Sequence, residues 1–374
     1  MNETMQALMR EATRLTQSGN LREATQVIQR AFRHAGRAPM PPPSSSSTSP
    51  PIILDGCVFE VGSAEVEEPE VVPPQTPPPG ANARDGNHKS HQGEFADGTH
   101  THASLTRRYK LYAPPGPVDK SLPLVVMLHG CTQNPDDFAA GTGMNELAKA
   151  RGFYVLYPEQ SANANPQRCW NWFKHNHQSR GRGEAALLAS MTLSVIKHHG
   201  IDSRRVYIAG LSAGGAMAAI VATAYPEIFA AVGVHSGLAV GAAGNVAEAL
   251  AAMKSGAADI KLASSSSAIP TIVFHGDHDR TVHPRNGVQV SAQMMATFEA
   301  GSEKSVEQDK SNQGQRFTRT CHLKNSVKFA ELWVLHGAGH AWSGGNANGS
   351  YTDPSGPDAS SEMLRFFSEH VKPV

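Results

Sequence analysis

The chain has 374 residues, with 33 basic and 33 acidic side chains, so its formal net charge is zero. That balance, without any basic block, leaves no footprint for nucleic acid, and no run of about eighteen apolar residues is present to span a membrane. Hydrophobic residues make up 40% of the chain; the deficit is local to the N-terminal side, and the remainder is long enough to bury a full core.

Three zones follow one another. In the first, residues 1–34, Met5, Leu8, Met9, Ala12 and Leu15 recur at helical spacing. Leu21, Ala24, Val27, Ile28, Ala31 and Phe32 repeat the pattern after the turn signal Gly19-Asn20. This predicts a helical hairpin whose apolar stripe needs a cover. The rest of the chain or a second copy is the plainer cover; a partner or a polymer surface is the sharper alternative, and nothing names it. The first residues lack the charged stretch and apolar run of a signal peptide.

The second zone, residues 35–92, carries Pro41-Pro42-Pro43, a serine run, Pro73-Pro74 and Pro77-Pro78-Pro79. It predicts an extended Pro/Ser-rich linker that cannot build a core. An apolar island from Ile52 to Val61 either adds a strand to the next domain or belongs to the linker. His88, His91, His100 and His102 come nearest to a histidine cluster and read as a solvated segment. With no CxxC pair either, no metal site is expected.

The third zone, residues 93–374, alternates strand-like and helix-like segments. Short apolar runs lie at 109–112, 122–128, 153–157, 206–209, 231–234, 271–274 and 329–335, with helical stretches such as 185–198 and 215–224 between them. Unbroken apolar runs fit strands buried on both faces. The alternation predicts an α/β domain with a mostly parallel sheet and helices on both sides.

The chemistry centres on Gly210-Leu211-Ser212-Ala213-Gly214. This G-x-S-x-G pattern sits between a strand-like run and a helix-like run, the setting of a nucleophile elbow. Side chains next to the serine would clash in so tight a turn, and the following helix points its N-terminus at developing negative charge. A serine hydroxyl needs a base, and in this arrangement the order is serine, acid, histidine. His340, set among Gly337, Ala338 and Gly339 after the last strand-like run, is the candidate base. Asp277 and Asp279, both after the 271–274 run, are candidate acids. The amide of Ala213 and that of Cys131, in the loop after the 122–128 run, are candidate oxyanion donors. The four cysteines, Cys57, Cys131, Cys169 and Cys321, allow three pairings that spacing does not separate.

Four segments taken together resemble the esterase/poly(3-hydroxybutyrate) depolymerase family of α/β hydrolases. They are Leu128-His129-Gly130-Cys131-Thr132-Gln133, Cys169-Trp170-Asn171-Trp172-Phe173, Gly210 through Met217, and Gly339-His340-Ala341-Trp342-Ser343-Gly344-Gly345. The resemblance covers nearly all of the third zone and none of the first two. It implies the α/β-hydrolase fold and a cofactor-free Ser–His–Asp hydrolase acting on a polyester or a small ester. Short-chain polyhydroxyalkanoate is the first substrate it implies, feruloyl or acetyl esters of plant polysaccharides the alternative; a peptidase with the same triad is a further rival. The spacing Gly276-x-x-Asp279-x-x-Val282 is similar to that of other α/β hydrolases, which favours Asp279 as the acid and leaves Asp277 to structure the turn. The resemblance also implies a Cys131–Cys169 disulfide, with Cys57–Cys321 as the leftover pair. Trp170, Trp172 and Trp342 become candidates for lining the substrate groove, with core packing as the competing reading of each. An extracellular enzyme is implied, although no export signal is evident and a cytoplasmic one is the alternative.

Overall fold

Apolar runs that alternate between two buried faces build the centre of this molecule. In chain order the strands are β1 (Ser90–His91), β2 (Glu94–His102), β3 (Leu105–Ala113), β4 (Gly116–Pro117), β5 (Leu124–Leu128), β6 (Tyr154–Pro158) and β7 (Val206–Leu211). They continue with β8 (Ala231–His235), β9 (Thr271–Gly276), β10 (Glu303–Lys310), β11 (Arg316–Lys324), β12 (Val327–Leu335), β13 (Trp342–Ser343) and β14 (Thr352–Asp353). The helices are α1 (Pro135–Thr142), α2 (Met144–Arg151), α3 (Gly183–His199), α4 (Ala213–Ala224), α5 (Val246–Ser255), α6 (Arg285–Met295) and α7 (Ala359–Ser368).

The structure is a computed structural model that describes residues 90–91, 93–117, 121–258, 260, 269–295 and 302–373. The predicted hairpin over residues 1–34 and the linker island lie outside the described residues. All described residues belong to one unit, Asn82–Val374.

Among the described residues, ten strands form one sheet in the order β10-β11-β12-β9-β8-β7-β5-β6-β3-β2. The run from β12 through β6 is parallel. Antiparallel pairs close both edges. In the central strands Val126, Leu128 and Ile208 face one core with Leu188, Met217 and Val221, from α3 and α4. Their neighbours Val125, Met127, Tyr207 and Ala209 face the other core with Phe138, Met363 and Phe366, from α1 and α7. Both faces are therefore covered, which is why these strands read as continuous apolar runs.

The edge strands are the part of the sheet that the apolar runs did not announce. Every residue of β10 (Glu-Lys-Ser-Val-Glu-Gln-Asp-Lys) is exposed, and β2 alternates between exposed and half-buried. Such strands bury too little to leave a periodic apolar signal, and their charged side chains discourage pairing with another sheet. The parallel strands all end on one side, and the loops that leave their C-terminal ends carry every candidate residue of the site.

Candidate active site

Strand β7 runs, wholly buried, into a turn at Ser212 and then directly into α4. Ser212 has φ 57° and ψ −119°, a conformation that costs a residue with a side chain on the order of 1–3 kcal/mol. It is held there by the Ser212 N–H, which donates to the His235 carbonyl at 2.9 Å, and by its own carbonyl, which accepts from Ala216 N at 3.0 Å. Gly214 is required for space. A Cβ there would lie 2.0 Å from the Leu128 carbonyl oxygen and 2.5 Å from that of His129. The first turn of α4 is thus pressed against the loop after β5, and Ala213 occupies the first helical position, where an amide has no intrahelical acceptor.

The loop after β5 carries Cys131, which forms a disulfide with Cys169. Inside that loop His129 is fully buried, and burial holds its imidazole down to about 4. Its Nδ1 meets the Gly130 carbonyl at 2.7 Å and its Nε2 accepts from Gln160 N at 3.1 Å. A neutral ring with the proton on Nδ1 satisfies both partners. Gly130 N donates to Gln133 Oε1 at 2.9 Å, while Gln133 Nε2 donates to Asp137 Oδ2 at 2.9 Å and to the Ser350 carbonyl at 3.1 Å. Among the described residues, the amides of Cys131 and Ala213 have no acceptor. Two free donors on facing loops beside a strained serine form the kind of arrangement that stabilises a developing oxyanion.

The candidate base and one candidate acid meet. His340 Nδ1 lies 2.7 Å from Asp279 Oδ2. Burial pushes the Asp279 carboxyl up, but hydrogen bonds from His340 and the Val282 amide, with the His275 ring close by, outweigh it and hold the group well below the usual carboxylate range. Oδ1 accepts from the Thr281 and Val282 amides at 2.9 and 2.8 Å. Asp277 instead accepts from Gly337 N at 2.7 Å and bonds His336 Nδ1 at 2.8 Å, joining its loop to the start of the His340 loop. The His340 loop then crosses the end of β8. Ser343 N donates to His235 Nε2 at 3.0 Å, and the Trp342 indole stacks on the His235 ring at 5.1 Å. Because His235 also receives the Ser212 amide on its carbonyl, one buried residue fixes both the elbow and the histidine loop.

Several of these residues, His235 among them, carry no sequence signal of their own. Glu184, at the start of α3, is completely buried. It accepts from Gln160 Nε2 at 2.6 Å, from Asn171 N at 2.8 Å and from Asn171 Nδ2 at 2.8 Å, and pairs with Arg107 at 3.4 Å. Gln160 is also the residue that holds His129. The carboxylate therefore ties the Cys169–Trp172 loop to the loop of Cys131, in parallel with the disulfide.

Trp170, Trp172 and Trp342 do not line an open groove: their exposures are 0%, 4% and 1%. Trp170 and Trp172 pack in the core with α3 and α4, and Trp342 fills the space between Phe138 and His235 while its Nε1 donates to Ser360 Oγ at 3.0 Å. Large indoles gain more from such burial than from exposure to water. Cys321 is a buried free thiol among the described residues, and the expectation of a Cys57–Cys321 pair falls on Cys57, which lies outside them.

Residues 107–303, more than half of the chain, match the esterase PHB depolymerase family. The chain belongs to this family. The matched segment contains Ser212 and Asp279, and His340 lies beyond it. Poly(3-hydroxyalkanoate) depolymerase C of Paucimonas lemoignei is 35% identical over 183 residues, 46% of this chain and 44% of that protein. Feruloyl esterase B of Thermothelomyces thermophilus is 35% identical over 130 residues, 34% of this chain and 44% of that protein. The chain thus spans less than half the length of either relative. Among solved structures, acetyl xylan esterase from Aspergillus awamori aligns with a TM-score of 0.58 at 20% identity, covering 73% of this chain and 99% of that one. At that identity the likeness shows the fold, that of the α/β hydrolases.

Proposed function

We propose that this protein is a carboxylic-ester hydrolase that works through an acyl-enzyme, with Ser212, His340 and Asp279 as its triad. The observation that carries the reading is the 2.7 Å contact between His340 and Asp279, with the His340 loop tied through His235 to the strained Ser212. Asp279 occupies Nδ1 of the imidazole and leaves Nε2 to act as the base. Ser212 Oγ attacks the ester carbonyl carbon as its proton passes to His340 Nε2. The carbonyl oxygen, now an anion, takes hydrogen bonds from the amides of Ala213 and Cys131. The tetrahedral species collapses, the C–O bond to the alcohol breaks, and the alcohol leaves with the proton from His340. Water, deprotonated by the same imidazole, then releases the acid and restores Ser212.

A short-chain polyhydroxyalkanoate is the proposed substrate, supported by the 35% identity to the Paucimonas lemoignei depolymerase. The equal identity to a feruloyl esterase over a shorter stretch supports plant polysaccharide esters as the second reading. The Cys131–Cys169 disulfide supports an oxidising, extracellular site of action. The deciding experiment measures soluble hydroxyacid released from amorphous poly(3-hydroxybutyrate), with Ser212→Ala as the blank. Release by the wild type alone supports the depolymerase. No release, with a small aryl ester still cleaved, moves the substrate to feruloyl or acetyl esters. Activity retained by Ser212→Ala refutes the triad.

A further inference from the structure

With the three indoles buried, another aromatic stands out in this region. Tyr351 is 45% exposed, and it is the one aromatic among the exposed large hydrophobic side chains of the described residues. Its backbone is also left-handed, with φ 52°, a region that bulky residues avoid. Exposed side chains gain little from burial, so packing of the ring does not offset this cost.

The surrounding hydrogen bonds hold the segment in place. Ser350 N and Oγ donate to Asp137 at 2.8 and 2.6 Å, and Gln133 Nε2 donates to the Ser350 carbonyl at 3.1 Å. On the other side the Tyr351 carbonyl accepts from Trp342 N at 2.7 Å, two residues past His340. The phenol oxygen lies 3.2 Å from Thr132 Oγ1. Thr132 is itself left-handed, with φ 66°, and directly follows Cys131. Tyr351 therefore bridges the loop that carries an oxyanion donor and the loop that carries the base.

We propose that Tyr351 is a specificity-determining residue whose ring receives the alcohol portion of the ester, favouring a flat or apolar alcohol over a small one. The inference rests on the ester-hydrolase reading above. The alcohol side is assigned because Tyr351 is fastened to the His340 loop, whose imidazole hands the proton to the departing alcohol. The strain is retained because it holds an exposed aromatic face where the loops of Cys131 and His340 are joined.

Two ester series test this through kcat/KM, which reports acylation. In one, acetyl is fixed and the alcohol changes from ethyl to cyclohexyl to phenyl. In the other, the alcohol is p-nitrophenol and the acyl group lengthens. Tyr351→Asn removes the ring and keeps a residue that tolerates the left-handed backbone. It should lose about tenfold on phenyl and cyclohexyl alcohols relative to ethyl, while its acyl-length preference and melting temperature stay those of the wild type. Tyr351→Phe, which loses only the contact to Thr132, should keep the alcohol preference. An equal loss on every alcohol, or no loss, overturns the inference. A wild type that cleaves no ester overturns the ester-hydrolase reading first; a cleaving wild type with an unchanged preference in Tyr351→Asn overturns this inference alone.

Discussion

Asp277 and Asp279 sit on one loop with a single residue between them, and each takes a different imidazole. Asp277 bonds His336 and the Gly337 amide; Asp279 bonds His340. Sequence spacing left both as acids, and only the resemblance to other α/β hydrolases separated them, because alternate residues of a tight loop look equivalent until the opposing loop is in place. In the proposed triad, Asp279→Asn presents an amide where Nδ1–H needs an acceptor and turns the imidazole toward the wrong tautomer. We expect a loss of about 10⁴ in kcat. Asp277→Asn keeps an oxygen for Gly337 N and leaves the His340–Asp279 contact alone, so its loss should stay within about tenfold. Steady-state rates on a small aryl ester check the ranking, and the reverse order would move the acid to Asp277. Ser212 was legible because the turn needs glycine on both sides, a demand written into five consecutive residues. His235 was not legible, since one histidine in an apolar strand looks the same whether it packs inertly or anchors two loops.

At the scale of elements, burial decided what the sequence displayed. Strands β5, β7, β8 and β9 are buried along their whole length and appear as apolar runs. Strands β2 and β10 lie at the edges, face water and carry charge, so their presence depends on a neighbour rather than on their own pattern. The start of α3 was equally silent. An acidic residue in a first helical turn ordinarily faces solvent and complements the helix dipole, yet Glu184 is buried and organises Gln160, Asn171 and Arg107. Glu184→Ala leaves the Arg107 guanidinium buried without its partner and should cost about 3–5 kcal/mol in urea unfolding. Glu184→Gln keeps one carbonyl acceptor in the same shape and should cost less than half of that. If the network also holds the loop of Cys131, as its link through Gln160 to His129 requires, Glu184→Gln should lower kcat more than it raises KM.

For the whole molecule, the two imidazoles that brace the proposed site make stability depend on pH. The ordinary value for both is 6.5; in the fold, burial holds His129 down to about 4 and His235 down to about 3. Between those limits the unfolded chain binds two protons that the native chain refuses, so each fall in pH favours unfolding. Their contribution is complete above 6.5, shrinks as acid is added, and levels off below about 4 for His129 and about 3 for His235. His100, His177, His199 and His322 are also lowered, each mainly by burial, and act in the same direction. Asp279, held low by its imidazole partners, adds stability that is present above its ordinary 3.8 and lost only below it, so it extends the decline rather than starting it. Urea unfolding between about pH 6 and pH 4.5 should therefore show stability falling, with these two groups contributing up to about 2.7 kcal/mol per pH unit. His129→Asn removes one of the two strongest contributors and should reduce that slope by about 1.4 kcal/mol per pH unit, whatever it does to stability at pH 7. A flat profile over this range would mean that His129 and His235 take up protons in the fold. The hydrogen bonds that Gln160 N and Ser343 N donate to their rings could not then be made, and the braces proposed for the loops of Cys131 and His340 would fall together.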